Sequence, residues 1–234
     1  MANILLTGAS RGIGAAARTL LTARGHTVIA QSTTGADGTI AADFAEAGSA
    51  TALCAAALDA AGGHIYVLVN NAGVFEAVDI DGDEAAFAHT WARSLAINLQ
   101  SAADLCRHAV RHFRTQGGGR IVNVASRAGH RGDSPNHWHY AAAKGGMLAM
   151  TKTIARGYAR ENILAFAITP GFTMTGMADE YLASRGGDKL LADIPLGRVA
   201  SVDEVAETIR WLATDAPPSL TGATLDINGA SYVR

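Results

Sequence analysis

The chain has 234 residues, of which 49% are hydrophobic and 17% are charged, and its formal net charge at pH 7 is -2. This length suits one large domain. Because an average soluble domain is roughly 25% charged, the low charge argues against a disordered tail and against electrostatic binding of nucleic acid. Glycine is enriched, at 26 of 234 residues, or about 11% against a usual value of about 7%. That excess needs a structural or functional reason.

The cysteines and the apolar runs bear on the cellular compartment. Cys54 and Cys106 lie in helix-like stretches without partners at metal-binding spacing, so we expect packed, reduced thiols in a cytoplasmic protein. A catalytic cysteine is the alternative. The apolar run at residues 2–6 has no basic leader, and no apolar run approaches the roughly 18 residues of a membrane span. We therefore expect neither a targeting segment nor a membrane partner.

Short apolar runs alternate with longer alanine-rich stretches of helical spacing along the chain. The nearly continuous hydrophobicity of the short runs is typical of strands buried on both faces. The predicted strands cover residues 3–7, 27–31, 65–70, 120–125, 164–169 and 224–227. The predicted helices cover residues 13–24, 46–61, 83–116, 139–160 and 202–213. This order predicts one α/β domain over residues 1–234, with a doubly wound parallel sheet in a Rossmann-like, three-layer α/β/α arrangement.

The connection after the second predicted strand is unusually short. Residues 39–44 are again β-like, so only the seven residues 32–38 separate them from the strand that ends near Gln31. A parallel crossover needs a dozen or so residues. The helix expected here is therefore missing, and we predict a shortened crossover formed by a tight turn or an extended segment.

A glycine-rich motif follows the first predicted strand and opens the first predicted helix. Residues 7–14 read Thr-Gly-Ala-Ser-Arg-Gly-Ile-Gly. Glycines at such a corner let the backbone approach a pyrophosphate, and the helix N-terminus offers free N–H groups. The spacing Gly-x3-Gly-x-Gly differs from the standard dinucleotide fingerprint, and a purely structural turn is the alternative. The strand before it and the helix after it favour nucleotide binding.

If the bound nucleotide is a nicotinamide dinucleotide, the end of the second strand decides between NAD and NADP. An NAD site usually places Asp or Glu about 20 residues beyond the glycine loop. Residues 31–34 are Gln-Ser-Thr-Thr, and no carboxylate occurs before Asp37. A 2′-phosphate would meet neutral hydroxyls, including that of Ser32, and would pair with Arg11. NADP(H) is therefore favoured over NAD(H), although Arg11 as a solvated loop cation is the alternative.

A tyrosine and a lysine are spaced for one face of a helix. Tyr140 and Lys144 form Tyr-x3-Lys, and residues four apart share a helical face. A nearby ammonium lowers the pKa of a tyrosine and prepares it for proton exchange. Gly145 and Gly146 would let a cofactor or a helix approach closely. Ser126 ends a predicted strand 14 residues earlier, where its hydroxyl can donate to a substrate carbonyl oxygen.

Two segments are expected to shape a substrate pocket: residues 127–139 and a lid at residues 174–195. The first is rich in His and Arg, but the spacing does not favour a metal site. Arg127 and Arg131 could attract a carboxylate or phosphate, or be solvated loop cations. Trp138 could line an apolar wall or pack in the core.

Together these motifs resemble those of the short-chain dehydrogenase/reductase family. The family's Thr-Gly-x3-Gly-x-Gly loop is followed by its Asn-Asn-Ala-Gly sequence at residues 70–73, its Pro-Gly turn at residues 170–171 and its C-terminal strand region at residues 220–229. The resemblance covers nearly the whole chain, with the motifs in the family's order. Within the family, 3-oxoacyl-(acyl carrier protein) reductases are the most similar, notably at residues 170–177.

The resemblance implies an NADPH-dependent reduction of a ketone or aldehyde to an alcohol. Tyr140 would be the general acid, Ser126 would bind the carbonyl oxygen, and Lys144 would bind the nicotinamide ribose. Asn98 would hold a water that connects Lys144 to solvent. Asp43 would accept from the adenine amino group, unless it is a turn residue or helix cap. The implied cofactor contacts are Gly8, Ser10, Arg11, Gly12, Ile13, Gly14, Ser32, Asp43, Phe44, Asn71, Ala72, Gly73, Tyr140, Lys144, Pro170, Gly171, Thr173 and Thr175.

The resemblance also suggests partners. A small carbonyl compound is the expected substrate, and a homotetramer or dimer joined through the long helices is the expected assembly. An acyl carrier protein is a possible partner, but no basic cluster near the site is visible and the short crossover departs from that subgroup. Two alternatives stay open: an NAD-linked alcohol or hydroxysteroid dehydrogenase, and a catalytically idle nucleotide-binding sensor on the same fold.

Overall fold

A seven-stranded parallel sheet forms the centre of the molecule. A computed structural model describes residues 1–174 and 191–234. The strands of this sheet are β1 (Asn3–Leu6), β2 (Thr27–Ser32), β3 (Ile40–Ala41), β4 (Val67–Asn70), β5 (Gly119–Val124), β6 (Ile163–Pro170) and β9 (Thr224–Ile227). Two short strands, β7 (Thr173–Met174) and β8 (Ala200–Ser201), pair separately.

The order of the strands predicts a ligand-binding position at the carboxyl ends of two central strands. It is β3-β2-β1-β4-β5-β6-β9, and every neighbouring pair is parallel. Chain progression reverses direction between β1 and β4. In such sheets ligands bind beyond the carboxyl ends of the strands at this switch point. The glycine motif after β1 and residues 71–73 after β4 both lie there.

Helices cover both faces of the sheet. They are α1 (Gly12–Ala23), α2 (Ser49–Ala60), α3 (Glu84–Leu95), α4 (Ser101–Thr115), α5 (Ala128–Arg131), α6 (Trp138–Tyr158) and α7 (Val202–Thr214). Ile4 and Leu6 pack with α1 and α7 in one buried cluster, whereas Leu5 packs with α2 and α4 in another. Because successive strand residues face opposite sides of a sheet, this division explains the apolar run of β1. The predicted Rossmann-like α/β/α fold is confirmed.

The crossover after β2 contains no helix, as predicted. Residues 33–39 return directly to β3, with Gly35, Asp37 and Gly38 at positive φ. The Ser32 and Thr39 hydroxyls lie 2.6 Å apart, and the Gly35 N–H donates to the Ser32 oxygen at 3.0 Å. These bonds close the loop into a compact turn. They let a two-residue strand pair with β2 without the usual long connection.

The long helix predicted over residues 83–116 is interrupted in the middle. Between α3 and α4, residues Ala96–Gln100 form one π-helical turn. Such turns carry an extra residue and occur frequently at functional sites. The predicted boundaries of the other main elements agree within a few residues, but α5 and the 3₁₀ turn Pro135–His137 were not predicted.

Both cysteines are free and buried. Burial raises the pKa of the Cys54 thiol to about 11 and that of Cys106 to about 12, so neither is prepared as a thiolate at neutral pH. Across residues 1–174 and 191–234, none of the helices combines the length and apolar character required to cross a membrane.

Candidate active site

The glycine loop folds tightly against the end of β4. The Thr7 hydroxyl oxygen accepts the N–H groups of Asn71 and Ala72, both at 3.0 Å. Gly8 has φ +65°, and a β-carbon there would lie 2.7 Å from the Ala72 Cα. A β-carbon at Gly14 would overlap the Gly8 carbonyl oxygen and lie 2.6 Å from the Asn71 Nδ2. The glycines are therefore needed for this packing.

The N-terminus of α1 is prepared for an anion. Arg11 is its N-cap in extended conformation, and no side chain caps the helix; the first turn also contains no acidic residue. The N–H groups at the start of the helix, around Gly12 and Ile13, are therefore available to a ligand. The side chains of Ser10 and Arg11 are exposed beside them. Both features suit a dinucleotide pyrophosphate.

Gln31 connects the glycine loop to β3. Its Oε1 accepts the Gly8 N–H at 2.8 Å, and its Nε2 donates to the Ala42 carbonyl at 2.7 Å. The side chain is buried, with 2% exposed. Gln31 thus lies where an acidic residue would select NAD, and its side-chain amide instead links the glycine loop to the segment after β3. Sequence reasoning noted Gln31 only as a missing acid.

The Ser32 hydroxyl is committed within the short crossover. Thr39 has one hydroxyl proton, which it donates to the Ala36 carbonyl at 2.6 Å. Ser32 must therefore donate to Thr39 while accepting from Gly35. As placed, Ser32 has no proton left for a phosphate. The exposed hydroxyls of Thr33 and Thr34 lie next to it.

Asp43 and Phe44 follow β3. Asp43 is half-buried, and its Oδ1 accepts the Ala45 N–H at 2.9 Å in a local turn. Its Oδ2 makes no hydrogen bond to the residues that the structure describes. The Phe44 ring is buried in the core, which leaves the Phe44 backbone to face a ligand.

Ser126, Tyr140 and Lys144 meet at the carboxyl end of β5. Ser126 lies two residues beyond the end of β5, and Tyr140 and Lys144 lie one turn apart on α6. The Ser126 side chain lies close enough to the Tyr140 hydroxyl to lower its pKa. Lys144 Nζ lies 5.7 Å from the centre of the Tyr140 ring and donates to the Val124 carbonyl at 2.9 Å.

Burial dominates the ionisation of this pair. Burial raises the pKa of Tyr140 to about 12, and the neighbouring Ser126 side chain lowers this pKa by a smaller amount. Burial also lowers the pKa of Lys144 to about 8. The pKa of Tyr140 is raised, whereas a neighbouring ammonium was expected to lower it. The reason is that removing the phenolate from water destabilises it more than the nearby Lys144 charge stabilises it. Both groups are therefore biased towards their neutral forms.

Asn98 lies in the π turn and faces the same region. Its amide accepts the Val74 N–H at 3.1 Å and donates to the Val74 carbonyl and the Ser94 hydroxyl, both at 3.0 Å. A β-carbon at Gly73 would lie 2.8 Å from the Asn98 Oδ1 and 3.7 Å from the Lys144 Nζ. Asn98 and Lys144 thus both face the position where a side chain at Gly73 would begin.

Residues 74–78, which we term the strap, run beside the tyrosine. Phe75 stacks on His137 with ring centres 3.8 Å apart and planes within 2°. The same ring meets Tyr140 edge to face at 4.9 Å. Phe75 is 46% exposed, so it forms a wall of the open site. Sequence reasoning did not identify it.

A buried histidine holds the strap to α6. His139 is fully buried, and its Nε2 donates to the Glu76 carbonyl at 2.8 Å. The Val78 N–H donates to the Asn136 carbonyl at 3.0 Å. Among the described residues, the His139 Nδ1 has no hydrogen-bond partner. The residue before Tyr140 therefore couples the strap to the helix that positions the tyrosine.

Glycines allow α5 and α6 to pack closely against their neighbours: Gly129 in α5, and Gly145 and Gly146 in α6. A β-carbon at Gly146 would lie 2.9 Å from the Leu99 side chain, and one at Gly129 would lie 2.7 Å from the Lys144 carbonyl carbon. Gly145 faces the Gly129 carbonyl oxygen at 3.3 Å. Of the two expectations for Gly145 and Gly146, close approach of a neighbouring segment is the one found.

The end of β6 closes the other side of the site. A β-carbon at Gly171 would lie 2.9 Å from the Asn228 side chain. The Pro170 carbonyl accepts the Arg127 N–H at 3.1 Å, and Thr173 is buried in β7. Thr175 and residues 175–190 of the expected lid lie outside the described residues.

The segment 127–139 is used mainly for stacking and ion pairing. His130 stacks on Tyr232 at 5.4 Å, as His137 does on Phe75. Within residues 1–174 and 191–234, no group of three His, Cys, Asp or Glu side chains is arranged for a metal ion. Trp138 is 52% exposed, so it does not pack in the core.

Comparisons with known proteins identify the family of this chain. A family model described as Enoyl-(Acyl carrier protein) reductase matches residues 8–230. A 3-oxoacyl-[acyl-carrier-protein] reductase of Synechocystis sp. is 37% identical over 242 aligned residues, covering 96% of this chain and 94% of the relative. Reductases of the same name from Salmonella typhimurium and Pseudomonas aeruginosa are 32% and 34% identical, each covering 98% of this chain and 96% of the relative.

The matched region contains the glycine loop, the Asn-Asn-Ala-Gly sequence and the Ser126, Tyr140 and Lys144 cluster. The resemblance drawn from the motifs is therefore confirmed over nearly the full chain. The chain belongs to the short-chain dehydrogenase/reductase family of NAD(P)-dependent oxidoreductases, which interconvert carbonyl and hydroxyl groups.

Proposed function

We propose that this protein uses NADPH to reduce a ketone or aldehyde to an alcohol, with Tyr140 as the general acid. The main support is the placement of Tyr140 beside Ser126, with the Lys144 Nζ 5.7 Å from the centre of the Tyr140 ring. This cluster lies at the edge of the sheet where the glycine loop and α1 present an anion site. An acid and a dinucleotide site at one edge suit reduction of a bound carbonyl.

Each catalytic residue has a separate task. The nicotinamide, when bound, supplies the hydride to the carbonyl carbon. The Ser126 hydroxyl donates to the carbonyl oxygen as negative charge develops there, an interaction worth about 3 kcal/mol in comparable sites. Tyr140, with a pKa of about 12, is protonated at neutral pH and gives its proton to that oxygen.

Lys144 and Asn98 complete the proton path. With a pKa of about 8, Lys144 is charged at neutral pH and stabilises the tyrosinate that remains after proton transfer. It also donates to the hydroxyls of the nicotinamide ribose. Asn98, which faces Gly73 as Lys144 does, would hold a water that passes protons from solvent to Lys144.

The proposed preference for NADPH rests on charge at the end of β2. No carboxylate occurs between the glycine loop and Asp37, so nothing there repels a 2′-phosphate. Arg11 supplies a guanidinium, and Thr33 and Thr34 supply exposed hydroxyls. Because the Ser32 proton is engaged with Thr39, we assign Ser32 the task of shaping the turn beneath the phosphate.

The remaining contacts follow the edge of the sheet. Asp43 would accept from the adenine through Oδ2, and Thr173 would contact the carboxamide through its backbone. The full proposed set is Gly8, Ser10, Arg11, Gly12, Ile13, Gly14, Ser32, Asp43, Phe44, Asn71, Ala72, Gly73, Tyr140, Lys144, Pro170, Gly171, Thr173 and Thr175.

The proposed substrate is a 3-oxoacyl compound or a related small carbonyl. The relatives named above support this class by their printed names, and an acyl carrier protein is a possible donor of the acyl group. We also propose that the chain assembles as a dimer or tetramer through α4 and α6.

One assay tests the proposed function. The protein is incubated with NADPH or NADH and a panel of β-ketoesters, oxo carboxylic acids, diketones, quinones, pteridines and 3-oxoacyl thioesters, and loss of nicotinamide absorbance is followed. Turnover with NADPH that disappears in Tyr140→Phe, while NADPH still binds, supports the proposal; Tyr66→Phe, at a tyrosine 43% exposed, is the matched control. Tight NADPH binding without turnover of any compound contradicts it, as does a preference for NADH.

A further inference from the structure

Two arginines beside the catalytic serine have no task in the proposed reaction. Arg127 directly follows Ser126, and Arg131 lies one turn later at the end of α5. The Arg127 side chain is only 8% exposed, whereas that of Arg131 is 37% exposed. A buried guanidinium is costly unless its charge is matched, so its surroundings need an explanation.

The two arginines share a single carboxylate. Asp193 Oδ2 lies 3.5 Å from the Arg127 Nη1 and 3.1 Å from the Arg131 Nη1, and its side chain is 51% exposed. Arg131 also donates to the Ser231 carbonyl at 3.3 Å. Among the described residues, Arg127 makes only the long contact to Asp193 as a side-chain hydrogen bond. Toward residues 1–174 and 191–234, most of its five N–H donors therefore make no hydrogen bond.

The charges near Arg127 do not balance. Burial lowers the pKa of Arg127, the charge of Arg131 lowers it further, and Asp193 and the more weakly acting Asp133 oppose this. Two cations against one close, half-exposed carboxylate leave a local positive charge. Such a site gains from one more anion.

The fold positions the Arg127 guanidinium near the carboxyl ends of β5 and β6. Its Cζ lies 4.9 Å from the centre of the Phe172 ring, in stacking distance. The Arg127 N–H donates to the Pro170 carbonyl at 3.1 Å. The guanidinium is thus fixed between the end of β5, which carries Ser126, and the end of β6, which leads into Phe172. Because Arg127 directly follows Ser126, its guanidinium lies at the same ends of the strands as the proposed binding position of the substrate carbonyl.

We infer that Arg127, with Arg131 beside it, binds the carboxylate of the substrate, so that the preferred substrates are small oxo carboxylic acids rather than neutral ketones, esters or thioesters. This inference rests on the proposed carbonyl reduction, and of the two substrate classes proposed above it selects the related small carbonyls over 3-oxoacyl thioesters. A planar guanidinium suits a planar carboxylate through two parallel N–H bonds. Arg127 is a specificity residue here, and its stacking on Phe172 reduces the entropy lost on binding.

A purely structural ion pair makes different predictions. If Arg127 only anchors Asp193, then removing the Asp193 charge weakens the fold and does nothing for substrates. If the two arginines form an anion site, Asp193 competes with the substrate carboxylate. Asp193→Asn then lowers the KM of an oxo acid and leaves that of its ester unchanged.

The experiment compares matched acids and esters. The ratio kcat/KM is measured with NADPH for 4-oxopentanoate, acetoacetate and their methyl esters, in wild type, Arg127→Met, Arg127→Lys and Asp193→Asn. Arg160→Met, at an exposed arginine, is the control. Wild type should prefer each acid at least tenfold, and Arg127→Met should lose that preference mainly through KM, with esters changed less than threefold. Arg127→Lys should recover part of it, because it restores charge without the fork.

Other results overturn the inference. It fails if wild type reduces the esters or a 3-oxoacyl thioester as well as the acids, or if Arg127→Met impairs acids and esters equally. It also fails if Asp193→Asn does not lower the KM of the acids.

A binding measurement separates this failure from failure of the proposed reaction. Calorimetry of 4-oxopentanoate with NADPH-saturated Tyr140→Phe needs no turnover. Binding that is at least tenfold weaker in the double variant with Arg127→Met supports the anion site even if no substrate is reduced. Equal binding, or none, overturns it.

Discussion

Lys144 Nζ lies 5.7 Å from the centre of the Tyr140 ring. Burial shifts the pKa values of the two side chains in opposite directions. The pKa of Tyr140 rises to about 12 and that of Lys144 falls to about 8. In the free protein, at neutral pH, the lysine therefore keeps its charge at a cost in stability. Its one described side-chain hydrogen bond, to the Val124 carbonyl, returns only part of that cost.

Replacing Lys144 by Met should stabilise the free protein at pH 7. The folded pKa of about 8 lies below the ordinary value of 10.5, so charge on the buried lysine costs roughly 3 kcal/mol. Loss of the bond to Val124 offsets about 1 kcal/mol of the gain. Urea unfolding at pH 7 should give a higher free energy of unfolding for Lys144→Met, even though the variant cannot turn over substrate.

The lowered pKa of buried Lys144 should also make the free energy of unfolding increase with pH. Between pH 8 and 10 the unfolded wild-type chain holds a proton that folded Lys144 has released, so wild-type stability rises with pH. This component should be absent from Lys144→Met and present in Lys152→Met, where an exposed lysine of the same helix is changed. Equal slopes in wild type and Lys144→Met would contradict the assignment of a pKa near 8.

Gly14→Ala should destroy cofactor binding by closing the glycine loop on itself. The added carbon would overlap the Gly8 carbonyl and lie 2.6 Å from the Asn71 Nδ2, so the loop must move away from the end of β4. We expect NADPH affinity, measured by calorimetry, to fall at least a hundredfold, with a loss of about 1–3 kcal/mol in unfolding free energy.

Gly157→Ala is the matched control for this clash. Gly157 is exposed near the end of α6, with nothing within 4 Å of the added carbon. Alanine in a helix should stabilise the protein by about 0.5–1 kcal/mol and leave NADPH affinity unchanged. If Gly14→Ala bound NADPH as well as Gly157→Ala does, the loop geometry described above would be wrong.

The layers and order of the fold could be predicted because they are encoded locally. β6 is buried at all eight positions, and its nearly continuous apolar run already indicated a strand covered on both faces. The Tyr140 and Lys144 pair was visible for a similar reason, since a spacing of four places both side chains on one face of a helix. The shortened crossover required only a count of residues.

Contacts between distant parts of the chain could not be predicted. His139 donates to a carbonyl 63 positions earlier, and nothing in the local pattern of either segment indicates that bond. The π turn that carries Asn98 depends on one extra residue in an otherwise regular helix, which hydrophobic periodicity does not register. The pKa of Tyr140 was misjudged because its shift depends mainly on burial by the whole fold, whereas the sequence displayed only the neighbouring lysine.

Substituting His139 tests whether the strap positions Tyr140. His139→Leu removes the bond to the Glu76 carbonyl and frees the strap that holds Phe75 against Tyr140. We expect kcat to fall about tenfold, equivalent to roughly 1.4 kcal/mol, with little change in the KM for NADPH, because the glycine loop is untouched. Steady-state kinetics with varied NADPH measure both values.

A conservative variant separates positioning from folding. His139→Gln places an amide donor near the position of Nε2 and should recover most of kcat. His89→Leu, at an exposed histidine on α3, should behave as wild type. An increase in the KM for NADPH equal to the loss in kcat, or no rescue by His139→Gln despite normal stability, would argue against a positioning role.

Arg11→Ala should change the choice of cofactor. If the guanidinium pairs with the 2′-phosphate, its loss should raise the KM for NADPH at least tenfold and leave that for NADH within about twofold, since a charge-assisted bond contributes about 1.5–3 kcal/mol. Arg24→Ala, at an exposed arginine just beyond α1, is the control for a general loss of positive charge. Equal increases for both cofactors would remove Arg11 from the phosphate site.

Substitutions of the hydroxyl residues after β2 should have different effects on the KM for NADPH and on stability. Thr33→Ala with Thr34→Ala removes two exposed donors and should weaken NADPH several-fold more than NADH. Ser32→Ala removes a hydroxyl whose proton is committed to Thr39 at 2.6 Å, so its direct effect should be on unfolding free energy, by about 1–2 kcal/mol. If Ser32→Ala instead altered the NADPH to NADH ratio as strongly as Arg11→Ala, without loss of stability, the Ser32 proton must turn from Thr39 to the phosphate when the cofactor binds.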